Sequence, residues 1–217
     1  MALSVLYEDN HVIVVHKPAG VLTQGDKSGD PSLMDEVKGY LKKKYKKPGN
    51  VFLGLVHRLD RPVSGVVLFA KTSKGASRLS EQFRNHTIEK TYHALVVGKP
   101  NTKILVNYLV KDKAQRKTDV LADRGQRAEL EYENVASYGK YSLVKILLKT
   151  GRFHQIRAQF SFIGHPVLGD TKYGAPFALP DKSIALCATS IAFILPTKDE
   201  RKIVSILIPN SWNVYKT

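Results

Sequence analysis

The sequence predicts an α+β fold, a mixed and mostly antiparallel β-sheet with helices packed against it. Short apolar runs bounded by Gly, Pro and Asn recur along the whole chain and outnumber the helical segments. Strands and helices do not alternate regularly, which argues against a doubly wound parallel sheet. The segment Ser137-Tyr138-Gly139-Lys140 lies between two such runs and reads as a hairpin turn.

Taken in order, Val12-Ile13-Val14-Val15 is the first strand and runs into the turn-rich Lys17-Pro18-Ala19-Gly20. Asp30-Pro31-Ser32 supplies a cap and a first-turn proline for a helix through Leu33, Val37 and Leu41, which share one face. The lysine run from Leu41 to Asn50 closes that helix, where cations suit the negative end of the helix dipole. It reads equally as solvated surface or as a phosphate-contacting patch. Gly65 to Ala70 is continuously apolar, as in a strand covered on both faces. A second helix is expected over Ser77 to Asn85, with Leu79 and Phe83 inward. Strands follow at Tyr92 to Val97, Ile104 to Val110, Ala128 to Val135 and Ser142 to Leu148. A third helix starts near His154, carries Ile156, Phe160 and Ile163 inward, and ends at Gly164, with Arg157 near the edge of its buried face. Ile184 to Leu195 and Ile203 to Ile208 complete the strands, and residues 1–217 read as one catalytic domain.

Charge narrows the function. Lys and Arg total 34 against 19 Asp and Glu, a formal charge of +15, and the pI is about 9.8. Such a field attracts polyanions, with nucleic acid first among them. A membrane surface would call for a basic amphipathic helix, and none stands out; lysines also serve solubility alone. The single cysteine, Cys187, excludes a disulfide framework and a cysteine-rich zinc site, and within Ala185-Leu186-Cys187-Ala188 it reads as a buried inert thiol. Met1 to Val5 does not look like a signal peptide, and nowhere do 18 apolar residues run together. The expectation is a cytoplasmic protein.

Two segments carry chemistry. Val56-His57-Arg58-Leu59-Asp60-Arg61-Pro62-Val63-Ser64-Gly65 sets one carboxylate between two guanidinium groups in a rigid turn at the sheet edge. An acid among cations stays ionised and serves as a nucleophile or base; the same residues also suit a salt-bridged surface turn. Thr150-Gly151-Arg152-Phe153-His154-Gln155-Ile156-Arg157 sets cations and an amide at a helix N-terminus, a corner for an anion or simply a capped helix facing water. A weaker signal is Lys90-Thr91-Tyr92, with Lys90 and Tyr92 on one side of a strand. The seven histidines show no HExxH or comparable spacing, so no metal site is expected. Walker, GxGxxG and GxSxG motifs are missing too, which leaves nucleotide cofactors and serine hydrolysis without support.

Together these segments resemble the RluA-type pseudouridine synthases. The family's HRLD and SGVxLFAKT signature is similar to His57-Arg58-Leu59-Asp60 with Ser64 to Thr72, and its K-x-Y strand to Lys90-Thr91-Tyr92. Its GRxHQIR and GxPxxGDxxYG blocks are similar to Gly151 to Arg157 and Gly164 to Gly174, and its opening to Tyr7-Glu8-Asp9-Asn10 through Gly20. The likeness covers almost the whole chain in the family's order. Val63 stands where the family often has Thr, and Gln159 where it often has His. Many relatives carry a small S4-like RNA-binding domain at the N-terminus, for which the motifs here begin too early.

The resemblance implies isomerisation of specific uridines in ribosomal or transfer RNA, without cofactor or metal. A monomer is the default expectation. Asp60 would be the catalytic carboxylate, attacking C1′ or removing the C2′ proton; the sequence leaves both routes open. Arg157 would pair with Asp60, and Tyr92 would border the uracil and assist proton removal at C5. The nucleotide would have to leave its stack, with Arg58 filling the vacancy. His57, Lys90, Arg152 and His154 would border the pocket and nearby phosphates. A non-catalytic RNA-binding or ribosome-assembly protein on the same fold is the alternative, and a nucleoside glycosidase that releases free uracil is a further rival.

Overall fold

The computed structural model describes residues 3–101, 103–112, 114–121 and 123–215; of the opening stretch, Met1 and Ala2 lie outside it. In chain order the first elements are β1 (Val5–Glu8), β2 (Val12–Lys17), α1 (Leu33–Lys44), β3 (Gly54–Leu55), β4 (Ser64–Ala70) and α2 (Ser73–Arg84). They are followed by β5 (Glu89–Val97), β6 (Ile104–Asp112), β7 (Lys117–Leu121), β8 (Gln126–Tyr138) and β9 (Tyr141–Leu148). Then come α3 (Gln155–Phe162), a short 3-10 turn (Thr171–Tyr173), β10 (Leu186–Ile194), β11 (Arg201–Ser205) and a terminal 3-10 segment (Asn210–Tyr215). The α+β class and the antiparallel character expected from the pattern are both found.

The chain packs as two compact units. One comprises residues up to Ile88 together with Ser190–Ile206; the other comprises Glu89–Thr189 and the residues from Leu207. In the first unit, β2 pairs antiparallel with β1 on one side and with β4 on the other, and β3 also pairs with β4. β10 pairs antiparallel with β11 from Ser190 to Ile194. Val12, Val14, Val66, Leu68, Leu79, Ile191 and Phe193 form a shared core there. The continuous apolar run of β4 is buried from Gly65 to Ala70, as a strand covered on both faces requires.

α1 begins one residue after the cap: Ser32 and Asp35 form a reciprocal capping box, while Pro31 stands outside the helix. α2 starts at Ser73, four residues earlier than its periodicity suggests. The Thr72 hydroxyl accepts from the Gly75 N–H, and a side chain at Gly75 would collide with the His11 carbonyl at 2.8 Å. The glycine that weakens the helical signal is what lets the helix approach β2.

In the second unit five strands run in the order β5-β9-β8-β6-β7, each antiparallel to its neighbour. The hairpin at Gly139-Lys140 closes β8 onto β9, with Tyr138 opposite Tyr141. On one face Leu109 and Ala128 pack against Ala158 of α3 and Tyr173, and the Phe160 ring meets that of Tyr132 at 5.0 Å. The other face is charged, with Lys145 paired to Glu133 and Lys149 to Glu131. Ile156 and Phe160 are buried as expected; Ile163 ends the helix half-buried. Arg157 departs from expectation, being only 5% exposed rather than at the edge of the buried face. Cys187 is buried, and among the described residues no helix is long and apolar enough to cross a membrane.

Candidate active site

In the first unit the HRLD segment forms a tightly tied loop between β3 and β4. It lies at the end of an internal strand rather than along a sheet edge. Its tethers come from the opening Lys17-to-Thr23 stretch, which also explains why that motif accompanies it. Lys17 has no exposed surface, and its Nζ donates to the carbonyls of Pro18, Val21 and Arg61 at 3.0, 2.6 and 3.1 Å. Burial pushes its ammonium pKa down to about 8, against the opposing pull of the Asp60 carboxylate. The Thr23 hydroxyl donates to the Leu59 carbonyl at 2.8 Å and accepts from the Leu59 N–H at 3.2 Å. Gly20 and Arg61 exchange two further bonds: the Gly20 N–H reaches the Arg61 carbonyl at 2.8 Å, and Arg61 Nε reaches the Gly20 carbonyl at 2.9 Å.

A loop so pinned gives its side chains fixed stations. Leu59 is buried as an anchor, Arg58 is exposed, and Asp60 is half-buried, its carbonyl closing a turn with the Val63 N–H at 3.0 Å. The His57 ring points back into the unit, where Nε2 accepts the Leu68 N–H at 2.9 Å and the ring stacks on Phe83 at 5.2 Å. An accepting Nε2 leaves the proton of the neutral ring on Nδ1. Arg61, the other cation beside Asp60, pairs with Asp30 at 2.8 Å.

In the second unit Lys90 and Tyr92 lie two residues apart on β5, on one side of the strand. Tyr92 is buried and opposite Ile146; the Lys90 ammonium lies near Gly151, and burial pushes its pKa down to about 8. The GRxHQIR segment folds around Gln155. That side chain accepts from the Thr150 hydroxyl at 2.7 Å and the Arg152 N–H at 3.0 Å, and donates to the Glu129 carbonyl at 3.1 Å. Arg152 is held by its Nε on the Arg127 carbonyl at 3.1 Å.

His154 is the N-cap of α3 in a left-handed conformation, φ 52°, a strained state for a non-glycine residue. Its ring stacks on Phe153 at 3.8 Å, and its Nδ1 lies 2.9 Å from the Tyr173 hydroxyl. Arg157 donates from Nε and Nη2 to the two carboxylate oxygens of Asp170, at 2.6 and 2.9 Å. Lys17, Thr23, Asp170 and Tyr173 were not among the sequence candidates. Lys17, Asp170 and Tyr173 lie in stretches noted for their likeness, Thr23 just beyond one, and all four are buried, with at least one partner more than ten positions away in the chain.

Comparisons with known proteins agree with the motifs. A profile described as RNA pseudouridylate synthase matches residues 11–162. The chain is 34% identical to tRNA pseudouridine synthase C of Haemophilus ducreyi, over 99% of this chain and 94% of that one. It is 35% identical to ribosomal large subunit pseudouridine synthase D of Borreliella burgdorferi, over 79% of this chain but only 55% of the relative. Human RNA Pseudouridylate Synthase Domain Containing 4 shares the fold, with a TM-score of 0.80 at 24% identity over 97% of this chain and 90% of that one.

Proposed function

Since the chain belongs to the RNA pseudouridylate synthase family, it is an isomerase of uridine in RNA, and we propose that Asp60 is its catalytic carboxylate. In this reaction the N1–C1′ bond of a uridine breaks, the uracil turns, and a C5–C1′ bond forms, with the C5 proton lost and N1 protonated. Asp60 starts it at C1′ or at the C2′ proton. Tyr92 borders the uracil and assists loss of the C5 proton. Arg157 serves the same reaction as the cationic partner of the carboxylate.

The observation that carries the reading is the tethering of the Asp60 loop by Lys17, Thr23 and Gly20. A group that must meet one atom of an extruded nucleotide gains from a backbone that is already fixed. Arg58, exposed on that loop, takes the place of the flipped base, and His57 holds the loop from behind. Lys90, Arg152 and His154 border the pocket and nearby phosphates. The reaction is placed in the cytoplasm, in a monomer that needs no metal or cofactor. The substrate is ribosomal or transfer RNA, the two classes on which the named relatives act.

Cellular RNA labelled with tritium at uridine C5 tests this. Wild-type protein should release tritium to water without releasing uracil, and Asp60→Asn should bind RNA but release none. Equal loss of binding and turnover in Asp60→Asn would remove Asp60 from the chemistry. Free uracil among the products would indicate a glycosidase.

A further inference from the structure

Positive charge in the first unit gathers at the end of α1. From Val37 to Leu59 the sequence holds six lysines and Arg58, and no Asp or Glu. Lys42, Lys43 and Lys44 occupy the last turn of the helix, where they answer the negative end of its dipole. Lys46 and Lys47 lie beyond the helix. Their N–H groups donate back to the Lys43 and Lys42 carbonyls at 3.4 and 3.1 Å, and Lys46 takes a left-handed φ of 48°, a station that glycine fills without strain.

The acids nearby do not cancel this charge. Glu8 is shared between Lys44 and Lys71, at 2.7 and 2.6 Å. Asp9 accepts from the His11 and Val12 N–H groups at 2.7 and 2.8 Å and from the Tyr7 hydroxyl at 3.3 Å. Lys42, Lys43, Lys46 and Lys47 are all exposed. Two aromatic rings accompany them, Tyr45 at 46% and Phe52 at 49% exposure. The Tyr45 hydroxyl accepts from Lys71 at 3.0 Å. The Phe52 ring lies beside Gly54, whose partner on β4 is Ala70, the residue before Lys71. Lysines kept for solubility need no exposed ring beside them. Ammonium groups around a ring suit RNA, with phosphates on the lysines and an unpaired base on the ring.

We propose that this end of the first unit is a second RNA-docking surface, which holds the substrate backbone, and one base on Phe52, about 20 Å from the reacting nucleotide. This rests on the reading that Asp60 marks the reacting end. Asp60 precedes β4 and Lys71 follows it, and the 7 residues of that strand rise about 20 Å. α1 gives a second ruler. It starts where the Leu33 and Met34 N–H groups meet the Leu22 and Thr23 carbonyls, beside the Asp60 loop, and its 12 residues reach the lysines after about 18 Å. Contacts at that distance add affinity and orient the RNA without entering the chemistry.

The test is filter binding of bulk transfer RNA and ribosomal RNA across a series of KCl concentrations, with tritium release and melting measured on the same proteins. One variant changes Lys42, Lys43, Lys46 and Lys47 to Gln. A control changes Lys99, Lys140, Lys182 and Lys198 to Gln, positions that are likewise exposed, so the two have the same net charge. The first should lower the slope of log affinity against log salt by about 3 and raise KM about 10-fold, with kcat unchanged. The control should show less than half of either effect. Phe52→Ser should weaken binding about 10-fold and leave the salt slope as it is. Equal effects in the two quadruple variants, or a loss confined to kcat, would overturn the proposal, and wild-type affinity in Phe52→Ser would overturn the part assigned to the ring. Tritium release by Asp60→Asn at the wild-type rate would instead overturn the reading of Asp60, with the contrast in binding left standing.

Discussion

An ammonium group taken out of water is costly unless its hydrogen bonds are replaced, so Lys17, with no exposed surface, needs its three carbonyl partners. Lys17→Met keeps the apolar stem and leaves those carbonyls without their donor. Urea unfolding should show a loss of about 1–3 kcal/mol; a variant as stable as wild type would mean the carbonyls find water instead. Residues of this kind are where the sequence is least legible. Asp60, Tyr92 and Arg157 stand out because each sits in a compact motif. Lys17 reads as the end of a strand and Asp170 as part of a turn, since lysine and aspartate are rarely buried, and the Arg61 carbonyl that Lys17 reaches and the Arg157 that Asp170 pairs with lie 44 and 13 positions away. Arg157 reads as a rim residue for the same reason, until the carboxylate that permits its burial is known.

At the scale of elements, α1 is fastened to the β1 end by one carboxylate. Glu8 accepts from Lys44 at 2.7 Å, Lys71 at 2.6 Å, Tyr45 at 2.7 Å and Tyr40 at 3.0 Å. Burial pushes the Glu8 pKa up, but these four donors outweigh it and hold the carboxyl at about 2, below the ordinary 4.5. A carboxylate held low in the folded state contributes stability that is present above about 4.5 and lost as pH falls toward 2. Glu8→Gln should therefore melt lower than wild type at pH 7, and the gap should narrow steadily as pH is lowered from about 4.5 toward 2; a gap independent of pH would place the effect elsewhere. The continuous apolar runs of β2 and β4 and the apolar stretches of β8 and β9 were legible from their side chains alone. β7 was not, because Lys117-Thr118-Asp119-Val120-Leu121 is polar and pairs through its backbone with β6 alone among the described strands. β1 was too short to show a period.

For the whole molecule the +15 surplus predicts RNA affinity that falls steeply with salt. The structure refines which lysines contribute. Lys44 is committed to Glu8, whereas Lys42 and Lys43 are exposed. Lys43→Ala should lower the slope of log affinity against log salt by about 0.7–0.9 and leave turnover at saturating RNA unchanged. Were it to reduce turnover more than Arg157→Ala, the assignment of the site would be wrong. Charge and motif order were legible at this scale; the division into two units was not, because it depends on contacts between residues far apart in the chain. That division bears on how the protein is made. The first unit needs Ser190–Ile206, which leave the ribosome only after the intervening Glu89–Thr189. At ordinary elongation rates the nascent β2 and β4 ladder waits about 5–20 s for the strands that complete its core. Throughout that interval the apolar side chains of Val66 and Leu68 lack Ile191 and Phe193 as neighbours, so the growing polypeptide is at its most vulnerable to aggregation and most in need of a chaperone while its second unit is being synthesised.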